Sequence, residues 1–159
     1  MNIFYLDRDV TKAAQYHMDK HVNKMILEGA QLLASAIWVT DPKLAESIPG
    51  IYRLTHKNHP SAVWVRSNFN HYAYLLGLMD ALNTEAQYRY NRTNNHLSLD
   101  KALDWPCPTL PCLPFTEPPK CVHDDFKNIP DTVEAYREYY KRDKRDIAAW
   151  TKRDVPYWF

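Results

Sequence analysis

The chain has 159 residues, is 45% hydrophobic and 13% aromatic, and carries a formal charge of +1 with its seven histidines neutral. That is about one domain's worth of chain, with enough apolar surface for a proper core. A near-zero charge speaks against a broad phosphate-tracking surface, so nucleic acid is a disfavoured partner, and a local anion site is the electrostatic option that remains.

Met1 to Leu6 is a short apolar run that reads as a small strand or as an extended arm on the core. Asp7 or Asp9 then caps a helix. From Val10 to Trp38 there is no proline and one glycine, Gly29, so one long helix is expected, with Gly29 as its weak point. Ala14, Met18, Val22, Met25, Ile26, Leu32 and Leu33 mark its buried arc. Pro42, Pro49 and Gly50 make the next stretch a connection, with one helical turn near Lys43 to Ser47. Pro60 suits the first position of a second helix, expected to run to about Arg89 with Val65, Phe69, Tyr72, Leu76 and Met79 on its buried side.

Asn91 to Asn95 reads as a loop and Leu97 to Leu103 as a short helix. Six prolines between Pro106 and Pro119 exclude helix and favour an extended crossing held down by Leu110, Leu113 and Phe115. Asp131, with Glu134 three residues on, starts a last helix expected to reach about Lys152, with Val133, Tyr136, Tyr140, Ile147 and Trp150 inward. Arg137, Lys141, Arg142, Lys144 and Arg145 make that stretch locally basic. Tyr157, Trp158 and Phe159 close the chain and should pack down, because that removes apolar area from water. The expected fold class is all-α: a single helical domain, residues 1–159, of about three main helices, with the proline-rich crossing and the N-terminal strand or arm.

Four polar residues, His17, His21, Lys24 and Glu28, are spaced four, three and four apart, which on one helix makes a single ridge beside the apolar arc. Such a ridge lines a cleft, or else it is an exposed flank with a Lys24–Glu28 pair worth a few tenths of a kcal/mol. A metal on His17 and His21 is disfavoured, since Lys24 adds a competing cation and the segment His17-Met18-Asp19-Lys20-His21 lacks the metalloprotease glutamate.

The cluster His56-Lys57-Asn58-His59 before Pro60 is the best candidate anion site, because helix starts offer unpaired N–H groups and partial positive charge. Arg66, Ser67, Asn70 and Tyr74 add hydrogen-bonding groups on the helix that follows, on a face that could meet the first ridge. The competing reading makes His56 and His59 capping or surface residues. Cys107, Cys112, Cys121 and His123 are spaced C-x4-C-x8-C-x-H, without a zinc knuckle, and read better as buried thiols than as a zinc site. Tyr88, Arg89, Tyr90 and Arg92 interleave rings and guanidinium groups, as surfaces that stack bases do, although core packing is the simpler account. No cofactor motif is present. The odd cysteine count, the lack of a signal-like start and the lack of a membrane-length apolar run lead to the expectation of a cytoplasmic protein with no membrane partner.

Met1-Asn2-Ile3-Phe4-Tyr5-Leu6-Asp7, Asp19-Lys20-His21-Val22-x-Lys24-Met25-x-x-Glu28, His56-Lys57-Asn58-His59-Pro60-x-x-x-Trp64 and Trp150-Thr151-Lys152-Arg153-Asp154-Val155-Pro156 together give a pattern across nearly the whole chain. In it the chain resembles a family of small proteins of tailed bacteriophages, including those of cyanobacteria. The resemblance implies the cytoplasm of an infected bacterium and an accessory role in nucleotide metabolism, DNA modification or evasion of host defence.

The leading expectation is a module that binds a phosphorylated nucleotide, such as a cyclic dinucleotide or an ADP-ribose derivative used as an immune signal. It would bind through His17, His21, Lys24, His56, Asn58, His59, Arg66, Asn70 and Tyr74. One alternative is a metal-independent enzyme cleaving a phosphodiester or glycosidic bond. In it His21 or His17 is the acid or base, Lys24 and His59 stabilise negative charge, and Glu28 orients an imidazole. Another is a protein inhibitor of a host enzyme. Oligomeric state is not readable from the chain.

Overall fold

The computed structural model describes all 159 residues, and its regular structure is helical throughout. Helices α1 (Val10–Tyr16), α2 (Asp19–Thr40) and α3 (Pro42–Ser47) form the first half with α4 (Pro60–Arg66) and α5 (Phe69–Tyr90). Helices α6 (Leu97–Asp104), α7 (Asp124–Lys127) and α8 (Thr132–Asp143), then a 3-10 turn at Arg145–Ile147, complete it. No helix is long and apolar enough to cross a membrane. The 22-residue helices α2 and α5 make the most extensive contact, and the apolar core runs from Ile3 to Trp158. Gly29 interrupts nothing. A Cβ there would lie 2.7 Å from Met79 Cγ and 2.8 Å from its Sδ, so the missing side chain is what lets α5 close on α2.

All three long helices expected from the sequence are shorter than their apolar patterns, and each break has tertiary partners that the local pattern does not contain. The first breaks at His17 and Met18, both extended, where the Asp19 N–H donates to Ala149 O at 2.8 Å and the Asp19 carboxylate accepts from Thr151 N and Oγ1. The second breaks at Asn68, whose Oδ1 caps Asn70 N and accepts from Leu113 N, while its Nδ2 donates to the carbonyls of Leu113 and Pro114. The last stops at Asp143 because Trp150 docks backwards, its indole N–H donating to Tyr16 O at 3.0 Å. The shifted registers leave Phe69 and Ile147 at the surface, whereas the inward residues named for the first helix are all buried.

The N-terminal segment is an arm with no strand pairing. Asn2 clamps it: Nδ2 donates to Cys121 O at 2.7 Å, and Oδ1 accepts from the Tyr136 hydroxyl at 2.8 Å. Phe4 follows with φ 44°, a left-handed conformation that a bulky residue adopts only at a cost of about 1–3 kcal/mol, held in place by its surroundings. The proline-rich crossing is extended and does pack on the body. Phe69 N donates to Pro111 O, and the Trp64 indole N–H to Thr116 O. Of the closing aromatics, Trp158 is buried while Tyr157 is 82% exposed, lying near Arg137.

Candidate functional site

A cavity of about 190 Å³ opens where the N-terminal arm, α2, α8 and the turn after α8 meet. Phe4, His21, Lys24, Glu28, Tyr139 and Lys144 supply its chemistry, with Met1, Asn2 and Met25 completing the wall. Three of the four ridge residues are therefore together. His21, Lys24 and Glu28 keep helical spacing on α2, but His17 does not share their face, because the break at Met18 turns it inward. It is fully buried, its Nδ1 bonded to Ala13 O at 2.7 Å. Burial pushes the His17 imidazole down to about 4, so it is neutral and structural at pH 7.

His21 is held by a polar contact from behind. Its Nδ1 lies 2.6 Å from the Tyr140 hydroxyl, which lies against the Met18 backbone and has no other hydrogen-bond acceptor. The phenolic proton therefore points at Nδ1 and fixes the tautomer with hydrogen on Nε2. Phe4 stacks on the ring with centroids 4.4 Å apart and an interplanar angle of 19°. Burial, and then the neighbouring His17, Lys144 and Lys24, push the His21 imidazole down to about 3. What His21 offers the cavity is a neutral N–H donor.

Glu28 is mostly buried and oriented from two sides: Asn2 N donates to Oε2 at 3.1 Å, and Lys24 Nζ lies 3.5 Å from Oε1. The Met1 amino nitrogen is 3.9 Å from Oε2. Lys24 is largely in solvent, its side chain 62% exposed, and Lys144 stands 5.0 Å above the Tyr139 ring. The ammonium groups of Met1, Lys24 and Lys144 thus face one carboxylate, which leaves the cavity positive.

The helix start at His59 is differently arranged from the expectation. His59 Nδ1 accepts from Ser61 N at 3.2 Å, so the imidazole fills the capping role that an incoming anion would otherwise take. The same device recurs at His96 over Ser98 N and at His123 over Asp125 N. Helix α4 has only seven residues and a correspondingly weak dipole. His59 is nonetheless close enough to the cavity to feel it. Burial, then the charges of the Met1 amino group and His56, lower its pKa, while Glu28 opposes them.

His56 takes φ 49° and pairs its Nδ1 with Thr55 Oγ1, and Asn58 is exposed. Arg66 donates to Lys57 O, and Asn70 to Leu113 O at 2.6 Å. Tyr74 packs against Tyr5, Trp64 and Phe115, its hydroxyl buried without a partner. The face carrying Asn70 and Tyr74 is thus covered by the proline-rich crossing and does not meet the ridge.

The interleaved rings and guanidinium groups near Arg89 are also structural. Arg89 is 1% exposed and donates to Glu85 Oε1, Asp19 Oδ1 and Gln15 O, so it is closed to any phosphate. Cys107 and Cys112 are exposed and Cys121 is half-buried, so the thiols are not the buried set that their spacing suggested. They gather no cluster of three or more potential ligands with His123.

Asn2, Phe4, Tyr139 and Lys144 were not anticipated at the site. The only signal for Lys144 was its place in a basic run, and for the arm its apolar start. Neither says which cavity these residues enter, because its walls come from the arm, α2 and the end of α8, which only the packed fold brings together. No family model, curated protein or solved structure matches the chain.

Proposed function

We propose that the protein is a binding module for a small phosphorylated ligand, seated in the cavity between the N-terminal arm and α2. One observation carries the reading: His21 and the cationic side chains of Lys24 and Lys144 line one cavity beside the oriented Glu28 carboxylate. Donor and cations suit phosphate oxygens, and Glu28 suits a ligand hydroxyl or amine. At about 190 Å³ the cavity is smaller than the roughly 300–1,000 Å³ of pockets that enclose drug-sized ligands, so it suits the phosphate-bearing end of a molecule.

Binding fits better than turnover. An imidazole lowered to about 3 neither carries a proton to donate at pH 7 nor abstracts one effectively. In the phage setting that the sequence resemblance implies, such a module would sequester a host nucleotide signal. Calorimetric titration with ribose 5-phosphate tests the site. Saturable binding that weakens with rising salt is expected, and no heat at millimolar ligand would remove the reading.

A further inference from the structure

The cavity holds an arrangement that phosphate binding does not use. Phe4 and Tyr139 both line it, and their rings are nearly parallel, with an interplanar angle of 10° and centroids 6.3 Å apart. Phe4 also stacks closely on His21, at 4.4 Å. Tyr139 is buttressed by the edge of Phe126, at 6.1 Å and 64°. Two parallel rings that enclose a third need about 7 Å between their planes, at roughly 3.5 Å per contact, and a centroid distance of 6.3 Å caps the present gap, so the rings must part to admit one. Tyr139 is half-exposed near the C-terminal end of α8 and can supply that adjustment by a small side-chain rotation.

Phe4 cannot move in the same way. The Asn2 clamp and the His21 stack hold it, and its left-handed backbone is strain of the kind that collects at ligand clamps. Lys144 stands over Tyr139 at the mouth, Lys24 and Glu28 lie along α2, and the groups that meet a phosphate and those that meet a ring thus share one opening.

We infer that Phe4 and Tyr139 form a slot for a nucleobase-sized planar ring, which makes the ligand a nucleoside monophosphate or the terminal nucleotide of a longer molecule. The inference rests on the proposed phosphate site and adds the ligand class to it. The ring enters between Phe4 and Tyr139 while its phosphate meets Lys24, Lys144 and the Nε2–H of His21. Base–aromatic stacking tolerates any base, so the slot selects for a ring and the cations select for the charge beside it.

The test is a calorimetric comparison of adenosine 5′-monophosphate with ribose 5-phosphate on the full chain. The nucleotide is expected to bind at least about tenfold more tightly, since stacking one base on aromatic side chains typically contributes that much. In Tyr139→Leu the nucleotide's advantage over ribose 5-phosphate should be lost, with an unchanged denaturant unfolding midpoint reporting an intact fold. Tyr139→Phe keeps the ring and should keep the nucleotide's advantage. Equal affinities in the unaltered protein, or an advantage that survives Tyr139→Leu, overturn the slot and leave the phosphate site standing. Binding of neither compound overturns both.

Discussion

Two groups of charged residues both draw on α2, and they differ in what is left over. Around Arg89 every charge has its partners. Its guanidinium reaches Glu85, Asp19 and the Gln15 carbonyl, Arg153 holds both oxygens of Glu85, and Asp19 also takes Thr151. At the cavity the charges are only partly engaged: Lys24 has one contact at 3.5 Å and is mostly in solvent, and Lys144 has no carboxylate partner. Glu85 and Arg89 on α5 and Lys24 and Glu28 on α2 share the same i,i+4 spacing. Saturation by tertiary partners is what separates a charge that ties the fold from one that is free to meet a ligand.

The sharpest way to break that comparison is Arg89→Ala. The substitution leaves Glu85 3% exposed with only Arg153 on it, and strips Asp19 of its guanidinium. Removing one member of a buried ionic network costs about 3–5 kcal/mol. Denaturant unfolding should show a loss of that size with an unchanged slope. A loss under about 1 kcal/mol would mean that the network is not structural and that the contrast with the cavity is false.

Acid addresses His21 at the cavity and its buried neighbour His17. His17 and His21 are lowered in the folded protein to about 4 and about 3, from an ordinary value of 6.5. The unfolded chain therefore binds protons first. Their contribution to stability is complete above pH 6.5 and is lost as pH falls from there toward 4 for His17 and 3 for His21. For His17 alone the loss approaches about 3 kcal/mol by pH 4. Unfolding free energy measured from pH 7.5 to 4 should fall in this way, and His17→Gln should flatten the decline. An undiminished decline in the variant would show that the acid sensitivity lies elsewhere, for example in the histidine caps at His59 and His96, which also need a neutral Nδ1.

These same histidines show how far the sequence could be read. Periodicity identified the buried arc of α2, because burial of Met18, Val22, Met25 and Ile26 follows from spacing alone. It also placed Asp131 as a cap, confirmed by its bond to Glu134 N. It missed the breaks at Met18, Asn68 and Asp143, since nothing local marks them. Each is made by a distant strand of chain: residues 149–151, the proline-rich crossing, and the docking of Trp150 on Tyr16. The ridge of His21, Lys24 and Glu28 was legible for the same reason as the core. Its completion by Phe4, Tyr139 and Lys144 was not, because a cavity wall is shared by elements whose relative placement only the packed structure fixes.

The smallest expected effect on stability carries the most functional information. Lys24 is exposed, and its pairing with Glu28 is an i,i+4 contact of a kind that stabilises by about 0.3–0.5 kcal/mol. Lys24→Gln should therefore leave the unfolding midpoint nearly unchanged. Its effect on a phosphate ligand should be much larger. Removing one ammonium group beside a retained carboxylate lowers the cavity's positive charge by one, and the loss of one charge-assisted contact is worth roughly 1.5–3 kcal/mol, or about tenfold or more in affinity. Titration of ribose 5-phosphate against the variant measures this directly. Retained affinity together with retained stability would make Lys24 a solvated flank, equivalent to any other exposed pair on α2, and would leave Lys144 and His21 to hold the phosphate without it.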